Sequence, residues 1–308
     1  MQLKQLLCVQ EIVERGFRVG DAAVALHTSQ PSVSRQVQAL EKELGVRIFI
    51  RQNKRFLGLT QPGAEVLKIV RRVLRDTDNL RHVGAEYTDR ASGSLTVSTS
   101  HTQARYVLPR VIQAFAALHP NVTVILRQGP PPQTAQWVHD GEADLSISPD
   151  ATVPVPDVVL LPCYDHQKIV LVTVGHPLLA KKPLTLEALA EYPLITYDTK
   201  FVTTAYVANA FAAAKLVPKI VLTATDVDVM KTYVKSGLGV AIVPKLAYDR
   251  KGDRSLRAID AKHIFAPSRI SIGIAKNRYL RSYAYDFIRM VSPNLTREMI
   301  DSAVFDGA

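Results

Sequence analysis

The chain has 308 residues, 47% of them apolar, and a formal charge of +10. That length accommodates two or three domains with cores of their own, and the composition excludes a disordered chain. The charge favours an acidic partner such as nucleic acid or a membrane surface without naming one, and two distant cysteines, Cys8 and Cys163, supply neither a disulfide framework nor a zinc site.

In the first helix, Leu3, Leu6, Leu7, Val9 and Val13 recur at helical spacing and Gly16 stops the run. Glu11 and Glu14 interrupt that repeat, which breaks any signal-peptide core, and no stretch has the uncharged length that spans a bilayer. A reducing cytoplasm and no membrane partner are therefore expected. Residues 19–27, VGDAAVALH, predict a short second helix whose alanines permit close packing.

The stretch HTSQPSVSRQVQALEKELG, 27–45, predicts a third helix. Ser29 or Gln30 sits at its cap, Pro31 suits its first position, Val33, Val37, Leu40 and Leu44 form the inward stripe, and Gly45 closes it. Helix, short helix, polar turn, helix is the order of a helix-turn-helix, whose later helix lies in the major groove of double-stranded DNA. Pro31, Ser34, Arg35 and Gln38 share the outward face, with Gln30 and Ser32 in the same first turns. Arg35 and Gln38 carry the paired donors and acceptors that read purine edges, and Gln30 stands near backbone amides suited to a phosphate. Taken alone, the helix is better explained as a solvated polar face.

VRIFIRQNKRFLGLTQPG follows, two β-rich pieces around a basic turn with Arg51, Lys54 and Arg55. A hairpin wing over the phosphate backbone and a solvated hairpin both fit; beside the preceding helix the wing is preferred, since the two would meet one polyanion from adjacent places. From Thr60 a capped start opens a long helix with Val66, Val70, Val73, Leu74, Leu80, Val83 and Tyr87 on one stripe. The stripe is too thin to build a domain, which points to pairing with a second chain, although an amphipathic helix lying on its own domain has the same pattern.

RASGSLTVSTS marks a change of texture: Ser92 and Gly93 are expected to make a hinge, and Leu95 and Val97 begin a strand. Strands starting near 122, 144, 169, 194, 219, 240 and 270 then alternate with helical runs. Open, largely parallel sheets in two α/β lobes with a cleft are expected. The expected organisation is a winged helix-turn-helix over 1–59, a linker and dimerisation helix over 60–91, and an effector domain over 92–308. Its first lobe takes about 92–162 and 269–308 and its second about 163–268.

Ser100, Thr102 and Gln103 fall where a strand runs into a helix, a place where hydroxyls and amides hold an anion; Thr102 also fits a simple helix cap. Thr203, Thr204 and Thr225 are helix-start hydroxyls that could face the same cleft, and Asp226 and Asp228 read as helix-start charges. The eight histidines show no ligand spacing, so no metal, cofactor or catalytic residue is assigned. His101, near the cleft, reads as a ligand contact or a packed histidine ahead of a catalytic base. Among rival classes, a solute-binding protein would have the cleft but no use for the first ninety residues, and an architectural DNA-binding protein would leave the remainder unexplained.

With SQPSVSRQVQALEKELGVRIFIR in its head, the chain resembles the LysR-type transcriptional regulators over nearly its whole length. STSHTQARYVLP and TATDVDVMKTYVKSGLGVAIVP are similar to the CysB and Cbl branch, which governs sulfur assimilation genes. The resemblance implies a winged helix-turn-helix, a linker helix and a two-lobed effector domain like the periplasmic binding proteins. It implies a homotetrameric regulator, a dimer of dimers, with operator DNA, RNA polymerase and a small sulfur-related or anionic effector as partners. It also implies that Ser100, Thr102 and Gln103 contact the anion. Pro149 and Val202 depart from the branch, standing where it has threonine; each lacks the hydroxyl and Pro149 lacks an amide hydrogen, so the sulfate arrangement does not carry over whole. Effector binding is expected to alter lobe closure or subunit packing, and with it the spacing of the DNA-reading heads.

Overall fold

The computed structural model describes residues 1–53, 55–88, 92–150, 153–198 and 202–306, without the side chains of Val202, Thr203 and Asp306. The chain forms two compact units, Met1–Tyr87 and Thr88–Ala308.

In the first unit, α1 (Leu3–Glu14), α2 (Val19–Ala25) and α3 (Gln30–Leu44) precede a hairpin of β1 (Phe49–Gln52) and β2 (Arg55–Leu59) and the long α4 (Gln61–Thr88). Val9 and Ile12 of α1 meet Ala22 and Ala23 of α2 and Val33, Val37 and Leu40 of α3 in one core, completed by Ile48, Phe49, Phe56, Leu67 and Val70. Each valine, leucine, isoleucine or phenylalanine there contributes roughly 1.5–3 kcal/mol when fully buried. Leu44, expected in the inward stripe, is 41% exposed instead, because α3 ends there and Gly45 turns the chain away in the left-handed conformation. Ser29 is the N-cap and Pro31 the second helical residue. Thr60 caps α4 by accepting the Gly63 amide at 2.9 Å, and Gly63 is required there because a Cβ would lie 2.0 Å from the Ile48 carbonyl oxygen.

The second unit begins with β3 (Ser92–Thr99), α5 (His101–Tyr106), α6 (Leu108–Leu118), β4 (Asn121–Gln128), α7 (Pro131–His139), β5 (Leu145–Pro149) and β6 (Val158–His166). The chain then crosses to β7 (Lys168–Thr173), α8 (Leu186–Ala190), β8 (Leu194–Tyr197), α9 (Val202–Ala213), β9 (Ile220–Ala224), α10 (Val227–Lys235), β10 (Val240–Pro244) and β11 (Leu256–Asp260). It returns through β12 (Ser268–Ala275), α11 (Ser282–Val291) and α12 (Arg297–Asp301). The lobe 1 sheet has the order β4-β3-β5-β12-β6 and the lobe 2 sheet the order β11-β7-β10-β8-β9.

These sheets are mixed rather than largely parallel. β3 pairs in parallel with β4 and β5, and β8 with β9 and β10, whereas β12 is antiparallel to both β5 and β6, and β7 is antiparallel to both β10 and β11. Every antiparallel pair in these two sheets includes β7 or β12, the strands by which the chain enters lobe 2 and returns to lobe 1. Because β6 stays in the lobe 1 sheet through His166, the crossing falls at Gln167, a few residues beyond the expected boundary. Ser92 and Gly93 form no hinge: both are in β3, paired in register with Asn121 and Val122. Lys168, 1% exposed, donates to the Ala266 carbonyl and so ties one crossing segment to the other.

Candidate nucleic-acid interface and candidate effector recess

On α3, burial of Val33, Val37 and Leu40 leaves the opposite side in water. Gln30, Pro31, Arg35 and Gln38 are exposed there, with Ser32 and Ser34 half-buried beside them. Gln30 lies over α2, where a Cβ on Gly20 would come within 2.7 Å of its amide nitrogen. Arg35 is held along the helix by Nε donating to the Pro31 carbonyl at 3.3 Å. One continuous polar face therefore carries all six α3 residues expected to meet DNA.

The hairpin divides its cations. Arg51 Nη2 lies 2.5 Å from Glu41 Oε2 and its guanidinium sits 5.0 Å from the Phe56 ring centroid, so its charge is met inside the domain. Glu41 in turn accepts the Ile48 and Phe49 amides at 2.9 and 3.3 Å, which locks α3 to β1. Arg55 is exposed with no ion pair among the described residues, and Lys54 lies outside them. Asn53 adopts φ +49°, a turn conformation that asparagine tolerates.

In the second unit a recess of about 340 Å³, counting the space open to solvent, lies between the lobes. Lobe 1 lines it with Ser100, Thr102 and Gln103 from the β3–α5 junction, Pro149 from β5, His166 from β6 and Ser268 and Ile270 from β12; lobe 2 adds Tyr197 and Pro244. Among the described residues the lining has hydroxyls, an amide and an imidazole but no lysine, arginine or carboxylate. Ser100 is 3% exposed and its Oγ has no hydrogen-bond partner among the described residues. An unmet buried hydroxyl costs on the order of 1–3 kcal/mol, which an oxygen of a bound molecule would offset.

Thr102 is not a helix cap. Ser100 holds the N-cap position of α5, and the Thr102 hydroxyl instead meets the Tyr197 hydroxyl across the lobes at 3.3 Å. Gln103 accepts from the Tyr164 hydroxyl at 3.0 Å, and its Nε2 lies 3.4 Å from His166 Nδ1. Burial lowers the His166 pKa to about 4 and raises those of the Tyr164 and Tyr197 phenols, so all three rings are neutral near pH 7. His101 is half-buried and outside the recess lining, as is the exposed Thr225. Thr203 is in α9 with its side chain outside the described part, as is that of Val202, while the Thr204 hydroxyl donates to the Tyr197 and Asp198 carbonyls.

Beyond the recess, α5 grips lobe 2 a second time. Arg105 Nε lies 2.6 Å from Asp228 Oδ2, and the Tyr106 hydroxyl donates to Asp228 Oδ1 at 2.7 Å. Asp226 caps α10 by accepting the Asp228 amide, and Asp228 is the acid of that helix's first turn, as expected, and also meets α5 of the other lobe. Lys231 beneath them lies 2.7 Å from Asp253 Oδ2 and donates to the Ala247 carbonyl. Tyr164, His166 and Tyr197 carry no local motif that marks them in the sequence; the first two lie on β6, whose pattern is broken by Pro162.

Comparison with known proteins matches both units. Residues 3–64 match the bacterial regulatory helix-turn-helix proteins of the lysR family, and residues 88–296 match the LysR substrate binding domain. The HTH-type transcriptional regulator SsuR of Burkholderia cenocepacia is 47% identical over 97% of this chain and 97% of its own. The regulator CysB of the same organism is 43% identical over 99% of this chain and 97% of its own. A crystal structure of the cofactor-binding domain of the Cbl transcriptional regulator superposes with a TM-score of 0.66 at 37% identity, covering 69% of this chain and 93% of that one.

Proposed function

The chain belongs to the LysR family of bacterial helix-turn-helix regulators, and from that premise we propose that it controls sulfur-metabolism genes in answer to a small anion held between its lobes. It is a DNA-binding transcriptional regulator and not an enzyme. The sulfur assignment is supported by near-full-length kinship with SsuR and CysB, which extends over head and effector domain alike. Among the described residues no helix is long and apolar enough to cross a membrane, and a head that reads chromosomal DNA works in the cytoplasm.

The observation that carries the effector half of this reading is the buried, unpartnered Ser100 hydroxyl in a recess furnished with neutral donors. Such donors meet an oxyanion without a counter-charge, as charge-assisted hydrogen bonds. Pro149 narrows the choice, since it offers the recess neither hydroxyl nor amide hydrogen; an organosulfur anion with an apolar portion against Pro149, Pro244 and Ile270 fits better than bare sulfate.

Coupling runs through α5, which contributes Thr102 and Gln103 to the recess and Arg105 and Tyr106 to the contact with Asp228. An effector that favours one lobe arrangement stabilises that grip and shifts the spacing of paired reading heads. Two copies joined through α4 hold those heads, with dimers pairing again into a tetramer that presents itself to RNA polymerase. Footprinting of the full chain on its operator, with and without sulfate, thiosulfate, acetylserines, adenosine phosphosulfate and organosulfonates, tests the switch. A changed footprint or bend with at least one of these is expected, and an unchanged footprint at saturating bound effector rejects it.

A further inference from the structure

We propose that His166 selects the effector: its imidazole is fixed so that Nε2 donates a hydrogen bond into the recess, admitting a molecule that offers an oxyanion oxygen there and rejecting one that offers an ammonium or amide donor. The inference deepens the anion reading of the recess and rests on it.

The orientation of the ring follows from its neighbours. Tyr164 and His166 are two residues apart on β6 and therefore share a face, with ring centroids 5.2 Å apart and planes tilted by 31°. Burial raises the Tyr164 pKa, so the phenol keeps its proton and donates it to Gln103 Oε1 at 3.0 Å. That contact turns the amide of Gln103 so that its nitrogen faces His166 Nδ1 at 3.4 Å. An amide nitrogen only donates, so Nδ1 is an acceptor without a proton. The neutral ring carries its single proton on Nε2.

The ring's environment keeps it in that state. Burial is the main influence lowering its pKa to about 4; the carboxylate of Asp165 opposes that shift and the ammonium of Lys168 adds to it. Asp165 is itself engaged by Arg269 Nε at 3.5 Å.

Two residues of one lining then each carry a donor that meets no acceptor among the described residues. The one hydrogen bond of His166 among the described residues is at Nδ1, and Ser100 Oγ, in the same lining, is buried and has no partner among them. A ligand with two acceptor oxygens satisfies both. One that presents N–H groups can donate to the Ser100 oxygen, which also accepts, but it sets a second donor against the His166 N–H and leaves that N–H unpaired, a repulsive element that discriminates by exclusion. Tyr164 and Gln103 are positioning residues in this arrangement, since they act through the ring.

Calorimetric titration of the full chain with sulfate and with ethanesulfonate tests the inference, using wild type, Ser100→Ala, Tyr164→Phe and His166→Phe. Wild type is expected to bind at least one of them. His166→Phe keeps a ring against Tyr164 and loses the donor, so its Kd for that anion should rise roughly ten- to a hundredfold. Tyr164→Phe should show a smaller rise, and with 15N-labelled histidine it should move the ring proton between nitrogens, which a merely structural tyrosine would not do.

The outcomes separate the two readings. If wild type binds neither anion, or Ser100→Ala binds as tightly as wild type, the anion reading falls and the inference with it. If Ser100→Ala weakens binding and His166→Phe does not, the recess holds an anion but His166 does not select it. Should His166→Phe fail to fold, the nitrogen spectrum of the wild-type protein still decides: a protonated Nε2 that shifts on adding the bound anion supports the inference, and a proton on Nδ1 overturns it.

Discussion

Arg51 and Arg55 carry the same charge on one short hairpin and are used differently. Arg51 is joined to Glu41 and stacked on Phe56, whereas Arg55 projects into water. Replacing Arg51 with alanine removes a partly shielded ion pair and a cation–π contact, and should lower unfolding stability by about 1–2 kcal/mol in urea titrations. Arg55→Ala should leave stability unchanged, weaken operator and scrambled duplex about equally in gel shifts, and reduce the slope of log affinity against log salt by about 0.9. Equal effects of the two substitutions on DNA affinity would show that Arg51 leaves Glu41 on binding. A sequence lists both arginines as basic hairpin residues, and only the position of Glu41, ten residues earlier in α3, separates them.

At the scale of elements, the parts with strong local rules were legible. The apolar period of α1 to α4, the proline and glycine that bound α3, and the β3–α5 junction with Ser100, Thr102 and Gln103 all follow from short-range pattern. What escaped depends on pairing at a distance. β6 and β11 were not recognised as strands; Pro162 breaks the run of β6, and the register of β6 against β12 is itself irregular near Ile270. Without β6, His166 of the recess lining and Tyr164 beside it have no place among the candidate residues. Thr225 and His101 were included because helix-start position alone does not say which way a side chain faces.

The contact of α5 with Asp228 was also illegible, since it joins residues more than a hundred positions apart in sequence. Tyr106→Phe removes a 2.7 Å hydrogen bond to a carboxylate and should lower the stability of the effector domain by roughly 1–2 kcal/mol in denaturant titrations. Because the bond spans the lobes, the same substitution should change effector affinity although Tyr106 is outside the recess lining. Unaltered stability together with unaltered affinity would mean that α5 does not couple the two places.

On the scale of the whole molecule, a reading head and a sensing domain serve regulation only if the head distinguishes one duplex from another. A single α3 offers few base contacts, so useful discrimination requires two heads at a set spacing. Ile69, Leu80 and Tyr87 on α4 are more than half exposed, an apolar stripe that a second copy would cover. Everything proposed for the recess acts through that paired arrangement. The most direct measurement is selection of genomic fragments by the purified full chain at moderate salt, followed by the same selection with Arg35→Ala. Wild type is expected to enrich a small set of promoter fragments sharing a two-fold motif, and Arg35→Ala to lose that enrichment while still binding DNA weakly. Enrichment of no fragment over bulk DNA, or an identical set with Arg35→Ala, would contradict the assignment of α3 as the reading helix.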